Sequence, residues 1–251
     1  MKLPHRIKYY LLGFGIGLIL VIFIFGTRGC EWLPNNRVLT SINSSQLYIS
    51  NKNKCILECN SSIEKVFHLI EAGNVDFSNS KTKDRIREYV IEYEGINITV
   101  AIDPNDSVST ITSINSPLKN CNCDSTNNEI VPLYMPNKMT LSKLKVKSLT
   151  IDSVFQCQLN CLELDEKITN DLFSKGTILM NYSYPKRKPN PLFLIKLEVN
   201  KRSLLFLVQE GATKTRLKQI VELSEEKTKI NIHFYRRFID GLYYDENCPC
   251  L

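Results

Sequence analysis

Two stretches decide how this chain is read: residues 34–65, PNNRVLTSINSSQLYISNKNKCILECNSSIEK, and residues 136–167, PNKMTLSKLKVKSLTIDSVFQCQLNCLELDEK. Set against each other at an offset of 102 residues, they share ten identities in 32 positions. Residue frequencies of roughly 5–10% would give about two by chance. Pro34-Asn35 meets Pro136-Asn137, Leu39 meets Leu141, and Leu47 and Ile49 meet Leu149 and Ile151. Cys55, Leu57 and Cys59 fall on Cys157, Leu159 and Cys161, followed by Glu64-Lys65 on Glu166-Lys167. One inserted residue carries the match to Gly73 with Gly176 and Ser80 with Ser183, and each half closes on a Cys-x-Cys, Cys121/Cys123 and Cys248/Cys250. The body therefore reads as two copies of one domain, residues 31–123 and 132–251, joined by a polar, breaker-rich linker at 124–131.

Both copies follow one plan. Residues 50–60 and 152–162 read as a short helix carrying a pair of cysteines four residues apart. Ser61-Ser62-Ile63-Glu64 matches a capping box, and the spacing Ile63, Val66, Phe67, Ile70 makes a helical stripe that stops at Gly73. Ile168, Leu172 and Phe173 repeat the stripe, which ends at Gly176. Strands follow at 87–94, 96–103 and 107–114, with a Pro104-Asn105-Asp106 turn, and again at 192–199, 202–209 and 213–223. The expected fold class is α+β, each copy being short helices plus an antiparallel three- or four-stranded meander. Residues 229–239 (KINIHFYRRFI) add a strand or a helix; the cluster of His233 with aromatics and Arg236-Arg237 reads as an amphipathic edge strand rather than a binding patch.

Ahead of the copies, residues 9–26 (YYLLGFGIGLILVIFIFG) are eighteen residues without a charge. As a helix they would cover about 27 Å, close to the hydrocarbon thickness, so a single transmembrane helix is expected there. Lys2, Arg6 and Lys8 precede it, which by the positive-inside rule makes residues 1–8 a cytoplasmic tail and places the body outside the cytoplasm. An uncleaved signal-anchor is preferred to its two rivals. No small-x-small site favours a cleaved signal peptide, and Thr27-Arg28-Gly29-Cys30 departs from a lipoprotein box.

Charge excludes one class of partner. Of the formal net charge of +6, residues 1–30 hold +4, leaving +2 over the other 221 residues. A near-neutral body offers no general electrostatic footprint for a phosphate backbone, so no nucleic-acid partner is assigned. Lys143-Lys145-Lys147 reads as a solvated strand face, and Lys186-Arg187-Lys188 as a loop between Pro185 and Pro189.

Nine cysteines are the strongest chemical signal. Cys55, Cys59, Cys121 and Cys123 in copy one match Cys157, Cys161, Cys248 and Cys250 in copy two, leaving Cys30 over. In an oxidising compartment two disulfides per copy are expected, tying the first helix to the Cys-x-Cys, with the connectivity open among three pairings. Each bridge closing a loop of roughly 65 residues would remove about 4 kcal/mol of unfolded-chain entropy. The rival is a four-thiolate zinc site in each copy, against which the Cys-x-Cys spacing and the location both argue.

No catalytic residue, cofactor or metal ligand is assigned. Of the three histidines, His68 sits between apolar positions of its helix and reads as a partly buried structural residue. No Walker loop, Gly-rich dinucleotide turn, zinc-protease helix or Gly-x-Ser-x-Gly elbow occurs.

The run IEKVFHLIEAGNVDFSNS, then REYVIEYEGINITVAI and STITSI, resembles the domain of unknown function 4258 family in its helix, glycine turn and three strands. With the basic N-terminus, the apolar run and CEWLPNNRVL beyond it, the chain is similar to small membrane-anchored bacterial proteins of that family. The resemblance covers most of residues 31–114 and reaches copy two through copy one. It implies a link to compact RNase-type toxin folds, in which a His-Ala-x-x-Arg motif lies on the first helix; neither copy carries that motif. The expected function is a non-enzymatic binding or envelope role, with an unknown protein partner and membrane contact through residues 9–26. The alternatives are a hydrolase or nuclease-type enzyme, and zinc binding by the two sets of four cysteines.

Overall fold

A computed structural model describes residues 3–25, 33–60, 63–103, 108–115, 121–123, 127–165, 167–223, 232–241, 248 and 250. Outside it lie Cys30 with its neighbours, Ser61 and Ser62 of the capping box, the turn at 104–106 and residues 124–126 of the linker. The side chain of His233 is also outside it.

The repeat is visible element by element. After helix α1 (Leu3–Phe25), copy one runs α2 (Pro34–Ser44), β1 (Gln46–Ser50), α3 (Asn51–Cys59), α4 (Ile63–Ala72), β2 (Asn74–Lys81), β3 (Arg87–Tyr93), β4 (Ile96–Ile102) and β5 (Val108–Asn115). A short β6 (Ile130–Pro132) follows. Copy two runs α5 (Asn137–Val146), β7 (Ser148–Ile151), α6 (Ser153–Cys161), α7 (Ile168–Lys175) and β8 (Thr177–Ile178). A single 3-10 turn at Met180–Tyr182 leads to β9 (Leu192–Val199), β10 (Arg202–Glu210), β11 (Lys214–Leu223) and an added α8 (Ile232–Ile239).

Each copy forms a sheet, in the order β2-β3-β4-β5-β1-β6 for the first, whose last strand comes from the chain beyond residue 123, and β7-β11-β10-β9-β8 for the second. The antiparallel meander has four strands, within the expected range, and a strand that the sequence reading did not include completes it. In copy two that strand, β7, runs parallel to β11, with Ser148 opposite Lys214 and Ile151 opposite Leu217. A parallel partner needs a crossover, and α6 and α7 supply it. In both meanders the second and third strands are joined by a two-residue hairpin whose residues have positive φ, Glu94-Gly95 and Asn200-Lys201. That geometry matches the right-handed twist of the flanking strands.

Burial separates the copies. In copy one β4 alternates strictly, with Ile96, Ile98, Val100 and Ile102 buried and the residues between them partly exposed. In copy two β9 and β10 are buried in almost continuous runs. One face meets α5, α6 and α7 in a core that includes Leu144, Phe155, Leu172, Ile195 and Phe206; the other packs Leu194, Leu205, Leu207 and Val221 against Phe238 and Ile239 of α8. A sheet covered on both sides needs apolar residues at successive positions, not alternate ones.

Four expectations are corrected. No helix among the described residues is long and apolar enough to cross a membrane, so the N-terminal transmembrane helix is not shown. Residues 232–239 form a helix rather than an edge strand, because Phe234, Tyr235, Phe238 and Ile239 fall four apart on one face. Lys143 and Lys145 lie in the last turn of α5 rather than on a strand, where cations complement the helix dipole. His68 is exposed rather than partly buried, since its neighbours Val66, Leu69 and Ile70 take the inward face of α4.

Compactness divides the chain into Met1–Leu47 with His68–Leu118, and Tyr48–Phe67 with Lys119–Leu251. The division departs from the repeat boundary at α3. The cause is local: β1 pairs with β6 from Tyr48↔Pro132 to Ser50↔Ile130, the Asn51 amide donates to the Glu129 carbonyl (2.9 Å), and both cysteines of α3 are bridged to residues beyond 118.

Candidate functional site

Cysteines four apart on a helix stand one turn above each other on the same face. On α3 these are Cys55 and Cys59, and on α6 Cys157 and Cys161. The matching Cys-x-Cys segments are tightly turned, with Cys123 N donating to Cys121 O (2.9 Å) and Cys250 N to Cys248 O (2.7 Å). Tail and helix run antiparallel, so the bridges nest: Cys55–Cys123 with Cys59–Cys121, and Cys157–Cys250 with Cys161–Cys248. Their Cα separations, 5.8 to 6.3 Å, suit disulfides. The order is identical in the two copies, and it resolves the three pairings left open by the sequence. Four disulfides are consistent with an oxidising, extracytoplasmic setting. A bridged sulfur has no thiolate to offer a metal, and among the described residues no group of three or more His, Cys, Asp or Glu is arranged to hold one.

The other repeated identities are backbone clamps. Asn35 Nδ2 donates to the Gly73 carbonyl (3.3 Å) while its Oδ1 accepts from Val75 N (2.6 Å); Asn137 does the same with Gly176 (2.9 Å) and Ile178 N (2.8 Å). Ser80 Oγ accepts from Val90 N and Ser183 Oγ from Leu194 N, each at 3.0 Å, fastening the edge of the meander. The glycines are fixed by space. A Cβ on Gly73 would meet the Leu69 carbonyl oxygen and lie 2.9 Å from Ile91 Cγ2; one on Gly176 would meet the Leu172 carbonyl oxygen and lie 2.7 Å from Ile195 Cγ2. The repeated spacing therefore serves the turn from helix into sheet.

Two places could take a ligand. In copy one a cleft of about 300 Å³ is lined by Asn36, Leu39, Thr40 and Asn43 of α2 with Ile70 and Glu71 of α4. In copy two Lys143 and Lys147 of the first basic run meet at Glu210, the last residue of β10, and Lys186 of the second lies within electrostatic reach of it. Lys147 Nζ donates to Glu210 Oε1 (2.6 Å) and to the Gly211 carbonyl (2.7 Å), and Lys143 Nζ stands 3.5 Å from the same oxygen. The Lys186 ammonium is held below its ordinary pKa, first by desolvation and then by the Lys143 charge, with Glu210 opposing. Sequence reasoning missed Glu210. Its signal was a lone carboxylate closing the apolar run LLFLVQE, where a buried charge demands a partner.

Compared with protein-family models, with curated proteins and with solved structures, the chain has no match in any of the three.

Proposed function

We propose that this chain is a non-enzymatic binding protein of the cell envelope, displaying two disulfide-stapled α+β domains outside the cytoplasm and acting through contacts made by their surfaces. The observation that carries this reading is the repeated pair of nested disulfides. Such bridges persist only where thiols oxidise, and they stabilise small domains whose surfaces are then free to vary. The resemblance of residues 31–114 to the domain of unknown function 4258 family belongs to the same proposal and adds a bacterial source.

The test is a thiol count on denatured, unreduced protein purified from its native compartment, with metal analysis on the same sample. With eight of the nine cysteines bridged, one thiol titrates, that of Cys30, and zinc is absent. Nine thiols with two zinc ions would replace the disulfide reading by the four-thiolate one and remove the argument for an oxidising location. Protease added to spheroplasts supplies the second arm: it digests the body if the body lies outside the cytoplasm.

A further inference from the structure

Lys143 and Lys147 of the first basic run meet on one carboxylate, that of Glu210, and Lys186, about 40 residues further along the chain, lies within electrostatic reach of it. The Glu210 side chain is only 10% exposed, and it is bonded to Lys147, which is itself mostly buried. That pair forms a fixed base. Lys143, 42% exposed, stands beside it, and Lys186 comes from the exposed loop before β9, close enough for Lys143 to depress its pKa. Two ammonium groups thus share one carboxylate, with a third within its electrostatic reach.

The fold does not require this arrangement. The positions of copy one equivalent to Lys143, Lys145 and Lys147 are Ser41, Asn43 and Ser45, and the same helix and strand form there. Ser45 is buried and donates to Ser109 Oγ (2.6 Å), while in copy two Thr215 Oγ1 donates directly to the Leu144 carbonyl (2.7 Å). Overall charge divides the same way. Residues 31–123 carry nine Lys and Arg against eleven Asp and Glu, a net −2, whereas residues 132–251 carry nineteen against thirteen, a net +6. A charge imbalance confined to one of two like domains points to an anionic ligand for that domain.

We propose that Lys143 and Lys186, arrayed around the Lys147–Glu210 pair, bind a multivalent phosphate-type anion, either free or as a lipid headgroup. Each ammonium offers three donors and no acceptor, and a dianion balances the two positive charges left over by Glu210. The inference rests on the binding reading above and names a ligand class for it.

The experiment uses the full oxidised chain, with pyrophosphate followed by calorimetry and phosphatidylglycerol vesicles followed by sedimentation, phosphatidylcholine vesicles serving as the blank. Lys143→Ala with Lys186→Ala, both exposed positions, should weaken pyrophosphate binding at least tenfold without moving the melt. Lys167→Ala, 87% exposed in the same copy, should leave binding unchanged. Sedimentation with phosphatidylglycerol that pyrophosphate reverses supports the site with a lipid headgroup as its source; pyrophosphate binding without sedimentation supports it with a free anion. Absence of both bindings overturns the site, as does binding that survives the double substitution, and either result leaves the thiol count and the disulfide reading untouched.

Discussion

Because the bridges nest, their contributions to stability should not add. Cys157–Cys250 closes a separation of 93 residues, for which loop entropy gives about 4.6 kcal/mol at 25 °C. Cys161–Cys248, taken alone, closes 87 residues and gives nearly the same. Once either is in place, however, the other closes only a small ring: four residues of helix from 157 to 161 and two of tail from 248 to 250. A ring of that size is worth about 2 kcal/mol in the same treatment. Replacing one pair by serine should therefore cost about 2 kcal/mol, and replacing both about 7 kcal/mol, a coupling of about 3 kcal/mol. The sequence-based figure of about 4 kcal/mol per bridge treated each as independent, and took a loop of roughly 65 residues that fits copy one but not copy two. The assay is urea unfolding of the oxidised full chain carrying Cys30→Ser, so that no free thiol can shuffle the pairs. Variants are Cys157→Ser/Cys250→Ser, Cys161→Ser/Cys248→Ser, and all four together. If each pair alone costs 4–5 kcal/mol and the four-serine variant costs their sum, the nested-ring reasoning is refuted.

Three further outcomes follow from single residues. Asn137→Ala leaves Ile178 N and the Gly176 carbonyl without their side-chain partner and should cost about 1–3 kcal/mol in urea unfolding, as should Asn35→Ala in copy one; a loss below about 0.5 kcal/mol at both would show that the clamp is ornamental. Lys201 sits at φ +66°, where its partner position in copy one has Gly95, so Lys201→Gly should stabilise and Gly95→Lys destabilise by about 1 kcal/mol, with the melt reading the sign. The Asp76 carboxyl, held at about 2 by bonds first from the Ser78 hydroxyl and then from the Asn79 amide, has a folded pKa below its unfolded one; its contribution is complete above pH 4 and disappears as pH falls through about 2. Carboxyl chemical shifts followed from pH 5 to 1.5 check this, and a midpoint near 4 would contradict it.

How much of this was legible depended on which force wrote the pattern. Three of the four strands in each meander were readable to within a residue or two because β-branched and alternating residues bounded by Gly95 or Asn200-Lys201 leave few other folds for the backbone, whereas the edge strands β2 and β8 were missed. β1 and β7 were missed, since QLYIS and SLTI are short and lie between two helices; the identities Leu47/Leu149 and Ile49/Ile151, two residues apart, were their trace. For α8 the periodicity of KINIHFYRRFI does not decide between strand and helix. The continuous apolar runs of β9 and β10 already required a cover on the second face of the sheet, and α8 is the element that provides it. The cysteines could be assigned by type but not by partner, because pairing depends on the antiparallel run of tail against helix, which no spacing encodes. Glu210 and its lysines were invisible as a site for the same reason: their proximity is set by the topology that brings the end of β10 beside the end of α5.

The residues that the copies share and those that they do not fall in different places, and the difference bears on function. Shared are the bridged cysteines, Asn35/Asn137, Gly73/Gly176, Ser80/Ser183 and the buried Leu39/Leu141 and Leu57/Leu159, all of which fix backbone or core. The cleft of copy one is lined by Asn36, Thr40, Asn43 and Glu71; the equivalent positions of copy two are Lys138, Ser142, Lys145 and Ser174. On one scaffold, then, the same helical face has passed from one net negative charge to two positive ones. Selection for stability alone gives no reason for that reversal, because surface charges of this kind each contribute at most about 1 kcal/mol. Under the proposed binding role, a repeated domain whose clamps are kept while one surface changes sign suits two different contacts. Ligand searches should therefore treat the copies separately, with cationic or neutral candidates for the first and anionic ones for the second.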